Sequence, residues 1–163
     1  MIRALLIEDS EEDAQLILAT LAAGGFSVVS KRVETAEQMR SALQAEDWSV
    51  VLSDFNLPSF SAIEALGILR NLGSRVPMIV VTGALGEESA AGIIKAGATD
   101  LVTKQGLHRL VPVVERNLRE LDSVRQYQAA LAALDESEAR FKAIAANLPG
   151  VVFQSLLYDD GSA

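Results

Sequence analysis

The chain has 163 residues and no cysteine, which excludes a disulfide framework and any thiolate metal site. Histidine occurs once, at His108; with no acidic neighbour beside it, it reads as a solvated side chain at a helix start rather than as a phosphorylated histidine. Basic residues are outnumbered, 14 Lys and Arg against 22 Asp and Glu, for a net charge of −8. A nucleic-acid surface needs clustered Lys and Arg, so none is expected. No signal peptide and no apolar run of membrane-spanning length are found, and there is no internal repeat or low-complexity segment. These absences leave a cytoplasmic protein without membrane contact in this chain, long enough for one α/β domain with a helical extension but hardly for two domains.

What is present is an alternation of short apolar runs and helical patterns. Residues 4–7 (ALLI), 26–29, Val50–Ser53, 78–81 (MIVV) and Asp100–Thr103 each have the composition of a strand. Between them, Ser10 with Asp13 three residues on can cap a helix that Gly24-Gly25 ends. Thr35 with Gln38 forms a second capping pattern, with Ala36, Met39 and Leu43 facing the core. Helices are expected over 62–72, over Glu87–Ala96 up to Gly97, and from Leu107 onward, with Pro112 near its first turn. Five strands alternating with five helices predict one parallel, doubly wound sheet with helices on both faces.

The strand Val50–Ser53 stops at a carboxylate, Asp54, and Pro58 prevents its continuation. In a parallel sheet all strand ends share one edge, and the residues just past them are Glu8 and Asp9, Asp54, Thr82 and Lys104. Three carboxylates brought together repel one another unless a hard cation sits among them. Oxygen ligands without His or Cys favour Mg2+. Lys104 offers a mobile point charge and Thr82 a hydroxyl, which suit the oxygens of a transferred phosphoryl group with Asp54 as nucleophile.

The ordered set ED, D-F-N-L-P, V-T-G and V-T-K resembles the receiver domain of two-component response regulators, over about residues 1–120. The resemblance implies a flavodoxin-like (βα)5 fold and Asp54 as phospho-acceptor. It implies Mg2+ held by Asp9, by Glu8 through water, by Asp54 and by the backbone carbonyl of Asn56, with Thr82 and Lys104 on the phosphoryl oxygens. It implies a histidine kinase or phosphotransfer protein as partner, so that the chain is a phospho-acceptor rather than an enzyme in the ordinary sense. Two positions depart from the pattern. Leu101 stands where receivers usually carry Tyr or Phe, and Gln105 follows the lysine where a cis proline is common. A haloacid dehalogenase-type phosphatase would need a second Asp at position 56, where Asn56 stands, and its nucleophile after the first strand. A nucleotide binder would need a Gly-rich loop after strand one, where Glu8-Asp9 stands instead. The remaining alternatives are the receiver part of a hybrid sensor histidine kinase and a pseudo-receiver without chemistry, although a pseudo-receiver normally lacks one of the five residues.

Beyond Arg119 the helical pattern continues to about Asn147. Leu107, Val111, Val114, Leu118 and Leu121 form a coiled-coil-like seam, which Val124, Gln128 and Leu131 resume after a three-residue step. Residues 137–157 resemble the lead-in and first strand of a PAS sensor domain. The expected organisation is a receiver over 1–121, a helical linker over 122–140 and the truncated start of a PAS-like domain over 141–163. The extended helix makes a homodimer the expected assembly. Proteins of this resemblance often continue into a histidine kinase or a cyclic-dinucleotide enzyme, and the sequence does not decide between them.

Overall fold

The computed structural model describes residues 1–55, 57–83 and 87–147, with the backbone alone at 87 and 88. Its elements run β1 (Ile2–Ile7), α1 (Glu11–Ala23), β2 (Val28–Val33), α2 (Ala36–Ala45), β3 (Val50–Ser53), α3 (Ala62–Asn71), β4 (Met78–Thr82), α4 (Glu87–Ala96) and β5 (Asp100–Thr103). A 3-10 segment (Lys104–Arg109) then leads into α5 (Leu110–Asn147). The five strands form one sheet in the order β2-β1-β3-β4-β5, every pair parallel. This is the expected flavodoxin-like fold, in which the strand order reverses between β1 and β3 and opens a crevice at their carboxyl ends.

The three central strands, β1, β3 and β4, owe their apolar continuity to burial on both faces. Successive side chains of β1 alternate between two cores. Leu5 and Ile7 pack with Met39, Val51, Leu66 and Val80, while Ala4 and Leu6 pack with Ile17, Leu21, Leu52, Ile79 and Val114. Each fully buried Leu or Ile here contributes roughly 1.5–3 kcal/mol of transfer free energy.

β2 departs from the sequence expectation. It lies at 28–33 rather than 26–29, and its middle, Ser30-Lys31-Arg32, is exposed. It is an edge strand, so pairing with β1 demands extended backbone but no apolar run. Ser10 caps α1 by accepting the Asp13 N–H at 3.2 Å, as its spacing predicts. At α2, Thr35 accepts from the Gln38 N–H, but the Gln38 side chain accepts from Glu34 N–H at 2.8 Å instead of closing a box on Thr35. The reciprocal capping box occurs at α3, between Ser61 and Glu64.

The C-terminal helix begins three residues later than Leu107, after the 3-10 segment, and Pro112 falls in its first turn as expected. Its inward face is Leu110, Val113, Val114 and Asn117, with Val111 and Leu121 only half-buried. Val111 covers Gly24, the last residue of the α1 turn, where an added Cβ would collide with the valine side chain.

The chain falls into two compact units, Met1–Ser123 and Val124–Ala163. In the second unit the described residues are helical, and Val124, Tyr127, Leu131, Leu134, Phe141 and Ile144 are exposed apolar side chains. The apolar spacing there runs through Tyr127 rather than Gln128. Most of the segment read as PAS-like, residues 148–163, lies outside the described residues. None of the described helices is long and apolar enough to cross a membrane.

Candidate functional site

β1 and β3 are neighbours, and their pairing continues one residue past each strand. The Asp54 N–H donates to Ile7 O at 2.9 Å, and on the other side of β1 the Glu8 N–H likewise extends the β1–β2 pairing to Val33 O at 3.2 Å. Asp54 is thereby seated beside Glu8-Asp9 although it lies 45 positions after Asp9 in the chain. Carboxylate oxygens of Glu8, Asp9 and Asp54 lie within 4.8 Å of one another. At that separation each ionised pair repels by about 3 kcal/mol at an effective dielectric near 20. Glu8 is buried, Asp54 half-buried and Asp9 exposed.

Two of these carboxylates are aimed by backbone donors. Ser10 N–H donates to Glu8 Oε1 at 3.1 Å, and Phe55 N–H to Asp54 Oδ1 at 2.6 Å. Burial pushes the Glu8 carboxyl above the ordinary carboxylate range, and the Asp54 charge adds to this. The Ser10 hydrogen bond and the Lys104 charge work against it.

Lys104, the first residue past β5, supplies the positive charge. Its Nζ donates to Asp13 Oδ2 at 2.5 Å, to Asp54 Oδ2 at 3.1 Å and to Glu8 Oε2 at 3.2 Å. Burial alone would lower its pKa, but the bonds to Asp13 and Asp54 outweigh burial and raise it. The ammonium is therefore charged at any pH the fold meets.

Thr82 ends β4 and is buried, one strand over from Asp54 and in register with Thr103. Among the described residues its hydroxyl makes no hydrogen bond to Glu8, Asp9, Asp54 or Lys104. The structure thus brings Glu8, Asp9, Asp54 and Lys104 into direct company and sets Thr82 on the same edge. Asn56 lies outside the described residues.

Two participants were not legible as such. Asp13 reads in sequence only as a partner of the Ser10 cap, yet it makes the shortest contact to Lys104. A signal existed: Asp13 begins the stripe continued by Ile17 and Leu21, four and eight residues on, which are buried. Arg32 left no signal, because a basic residue on an edge strand reads as solvated. Its guanidinium donates at 3.1 Å to the carbonyls of both Glu8 and Asp9 and pairs with Glu34.

A family model described as the response regulator receiver domain matches residues 4–115. The chain belongs to that family. Among curated relatives, the receiver is 28% identical over 159 residues to the cell cycle transcriptional regulator CtrA of Caulobacter vibrioides, covering 94% of this chain and 68% of CtrA. It is 29% identical over 102 residues to the response regulator protein FleR of Pseudomonas aeruginosa, covering 63% of this chain but 21% of FleR. Of solved structures, NtrX from Brucella abortus superposes with a TM-score of 0.70 at 20% identity, covering 79% of this chain and 29% of that one. The receiver domain of the sensor histidine kinase PA1611 from Pseudomonas aeruginosa, with a magnesium ion in its active-site cleft, superposes with a TM-score of 0.62 at 23% identity, covering 72% of this chain and 97% of that one. At these identities the likeness to solved structures carries the fold.

The receiver's departures from the family pattern also have a place. Leu101 is half-buried and packs on the core between the sheet and α2 and α3. Gln105 lies within the 3-10 segment.

Proposed function

We propose that this receiver takes a phosphoryl group on Asp54 from a histidine kinase or phosphotransfer protein, with Mg2+ as cofactor. The observation that carries the reading is the convergence on Asp54 of a carboxylate pair and an ammonium from two other strand ends. The donor set fits Mg2+: carboxylate oxygens alone, with no His or Cys near them, in a cluster whose mutual repulsion a dication relieves. Glu8, Asp9 and Asp54 would hold it, with the Asn56 carbonyl as a further ligand. Bound there, the ion supplies neutralisation of charge on the incoming phosphoryl oxygens.

The protein's own contribution is positioning. Phe55 N–H fixes the Asp54 carboxylate through Oδ1. An Asp54 oxygen forms the new P–O bond as the donor's bond to phosphorus breaks. Lys104 follows the negative charge as it moves from Asp54 onto the phosphoryl oxygens, and the Thr82 hydroxyl donates to another of them. Arg32, through the carbonyls of Glu8 and Asp9, holds the turn that carries the acidic pair.

Incubation with acetyl phosphate and Mg2+, followed by intact-mass measurement, tests the assignment. Wild type gains one phosphate and Asp54→Asn gains none; equal gain in both removes Asp54 from the role.

The organisation follows from the same reading: receiver over 1–121, helical linker over 122–140 and a PAS-like beginning over 141–163. We place a homodimer contact along the extended helix, where exposed apolar residues at 124, 127, 131 and 134 step three and four apart as a coiled-coil seam does. Phosphorylation would reach a PAS-linked output as a change in how the two helices pack.

A further inference from the structure

An ammonium has three N–H donors, and those of Lys104 are all committed. Asp13, Asp54 and Glu8, from α1, β3 and β1 respectively, each take one. The three partners are not equivalent. Glu8 and Asp54 belong to the cluster of oxygens within 4.8 Å that includes Asp9, whereas Asp13 does not. Asp13 is also the nearest of the three, at 2.5 Å, and the most exposed. A divalent cation entering the cluster contests Glu8 and Asp54 with the ammonium, by direct competition for lone pairs and by like-charge repulsion. It does not contest Asp13.

We propose that Asp13 is a positioning residue for Lys104: it draws the ammonium off Glu8 and Asp54 so that these carboxylates can take a divalent cation while Lys104 stays in the cleft. The inference rests on the proposed Mg2+-dependent reading of this site and deepens it. Two features of α1 suit Asp13 to the task. Its backbone N–H, not its side chain, bonds the Ser10 cap, so its carboxylate is free for Lys104. Its position on the stripe with buried Ile17 and Leu21 fixes its direction toward the sheet edge.

The test is a double-mutant cycle read by calorimetric Mg2+ affinity in the unphosphorylated chain. Asp13→Asn keeps the cap and the volume and removes the charge. Simple loss of a nearby negative charge weakens Mg2+ by the same factor whether or not Lys104 is present. Action through Lys104 requires more: Asp13→Asn weakens Mg2+ about fivefold beyond its effect in a Lys104→Met background, the size of coupling found within one salt-bridge network. Equal factors in the two backgrounds, or a smaller one with Lys104 present, overturn the proposal. Should Lys104→Met fail to fold, Lys104→Gln replaces it in the same cycle. Asp9→Ala is the control for the underlying reading. If it leaves Mg2+ affinity unchanged, the metal assignment fails and the inference with it; if it weakens Mg2+ while the two factors are equal, only the role of Asp13 falls.

Discussion

Replacing Lys104 by Met keeps an unbranched stem and deletes the ammonium that three carboxylates share. Each of the three contacts, at 2.5, 3.1 and 3.2 Å, carries a gross attraction of about 5–7 kcal/mol at an effective dielectric near 20. Most of this is offset by desolvation of the groups, and the Asp13 contact is further screened because that side chain is 36% exposed. Stranding the buried Glu8 and half-buried Asp54 without their cation leaves a net loss of about 3–5 kcal/mol. That is a large part of the roughly 5–15 kcal/mol that holds a domain folded. Urea unfolding followed by Trp48 fluorescence measures it well, since Trp48 is buried and donates its indole N–H to Ala42 O within the core. In EDTA the variant is expected to unfold at clearly lower urea than wild type. In saturating Mg2+ the gap narrows, because a dication among Glu8, Asp9 and Asp54 does the neutralising that Lys104 did and meets no competing ammonium. A variant as stable as wild type in EDTA, or a gap that widens with Mg2+, would refute this account of the cluster.

The raised pKa of Glu8 gives a pH dependence of known sign. The folded state binds the Glu8 proton more tightly than the unfolded chain does, so the ionised carboxylate opposes folding above its raised pKa. Metal-free Glu8→Gln is therefore expected to exceed wild type in urea stability at neutral pH, by a margin that shrinks as pH falls through that raised pKa to below the ordinary carboxylate range; a margin that grows on acidification contradicts the assignment. The proposed dimer is tested by sedimentation equilibrium: the whole chain is expected to dimerise at micromolar concentration and a chain cut after Leu121 to remain monomeric, whereas a monomeric whole chain or an equally tight dimer of the cut one excludes the helix as its basis.

Much of the fold was legible because the central strands are buried on both faces and therefore announce themselves as unbroken apolar runs. Val50–Ser53 was read at the limits the structure gives it; Asp100–Thr103, an edge strand and only partly buried, was also read at its limits because Leu101 and Val102 still mark it. β2 was misplaced for the opposite reason: Ser30, Lys31 and Arg32 are paired through their backbones on one side only and exposed as side chains, so composition carries no strand signal. The start of α5 was read early because Leu107 is buried and in phase with the helix, though the backbone around it is a 3-10 turn. At the edge of the sheet, Glu8, Asp9, Asp54, Thr82 and Lys104 could be found because parallel topology gathers strand ends. Arg32 reaches the same place by side-chain length from an edge strand, and Asp13 joins it from a helix because the long Lys104 side chain comes to meet it; a rule that inspects only the residue after each strand passes over both.

The six residues of the 3-10 segment, Lys104–Arg109, begin with the ammonium of the site and hand over directly to Leu110, the first buried residue of α5. One end is held by three carboxylates and the other by Leu107 and Leu110 in the core. The segment can thus vary at an exposed position such as Gln105, though not at Gly106, where an added Cβ would meet the Thr103 hydroxyl at 2.9 Å, and its count is locked. Each residue of a 3-10 turn adds about 120° of rotation, so one deleted residue would turn Leu110, Val113 and Val114 off the sheet or drag Lys104 out of the cleft. For anyone grafting this helix onto another receiver, the ruler to respect is the number of residues from the lysine, ahead of the identity of exposed positions such as Gln105.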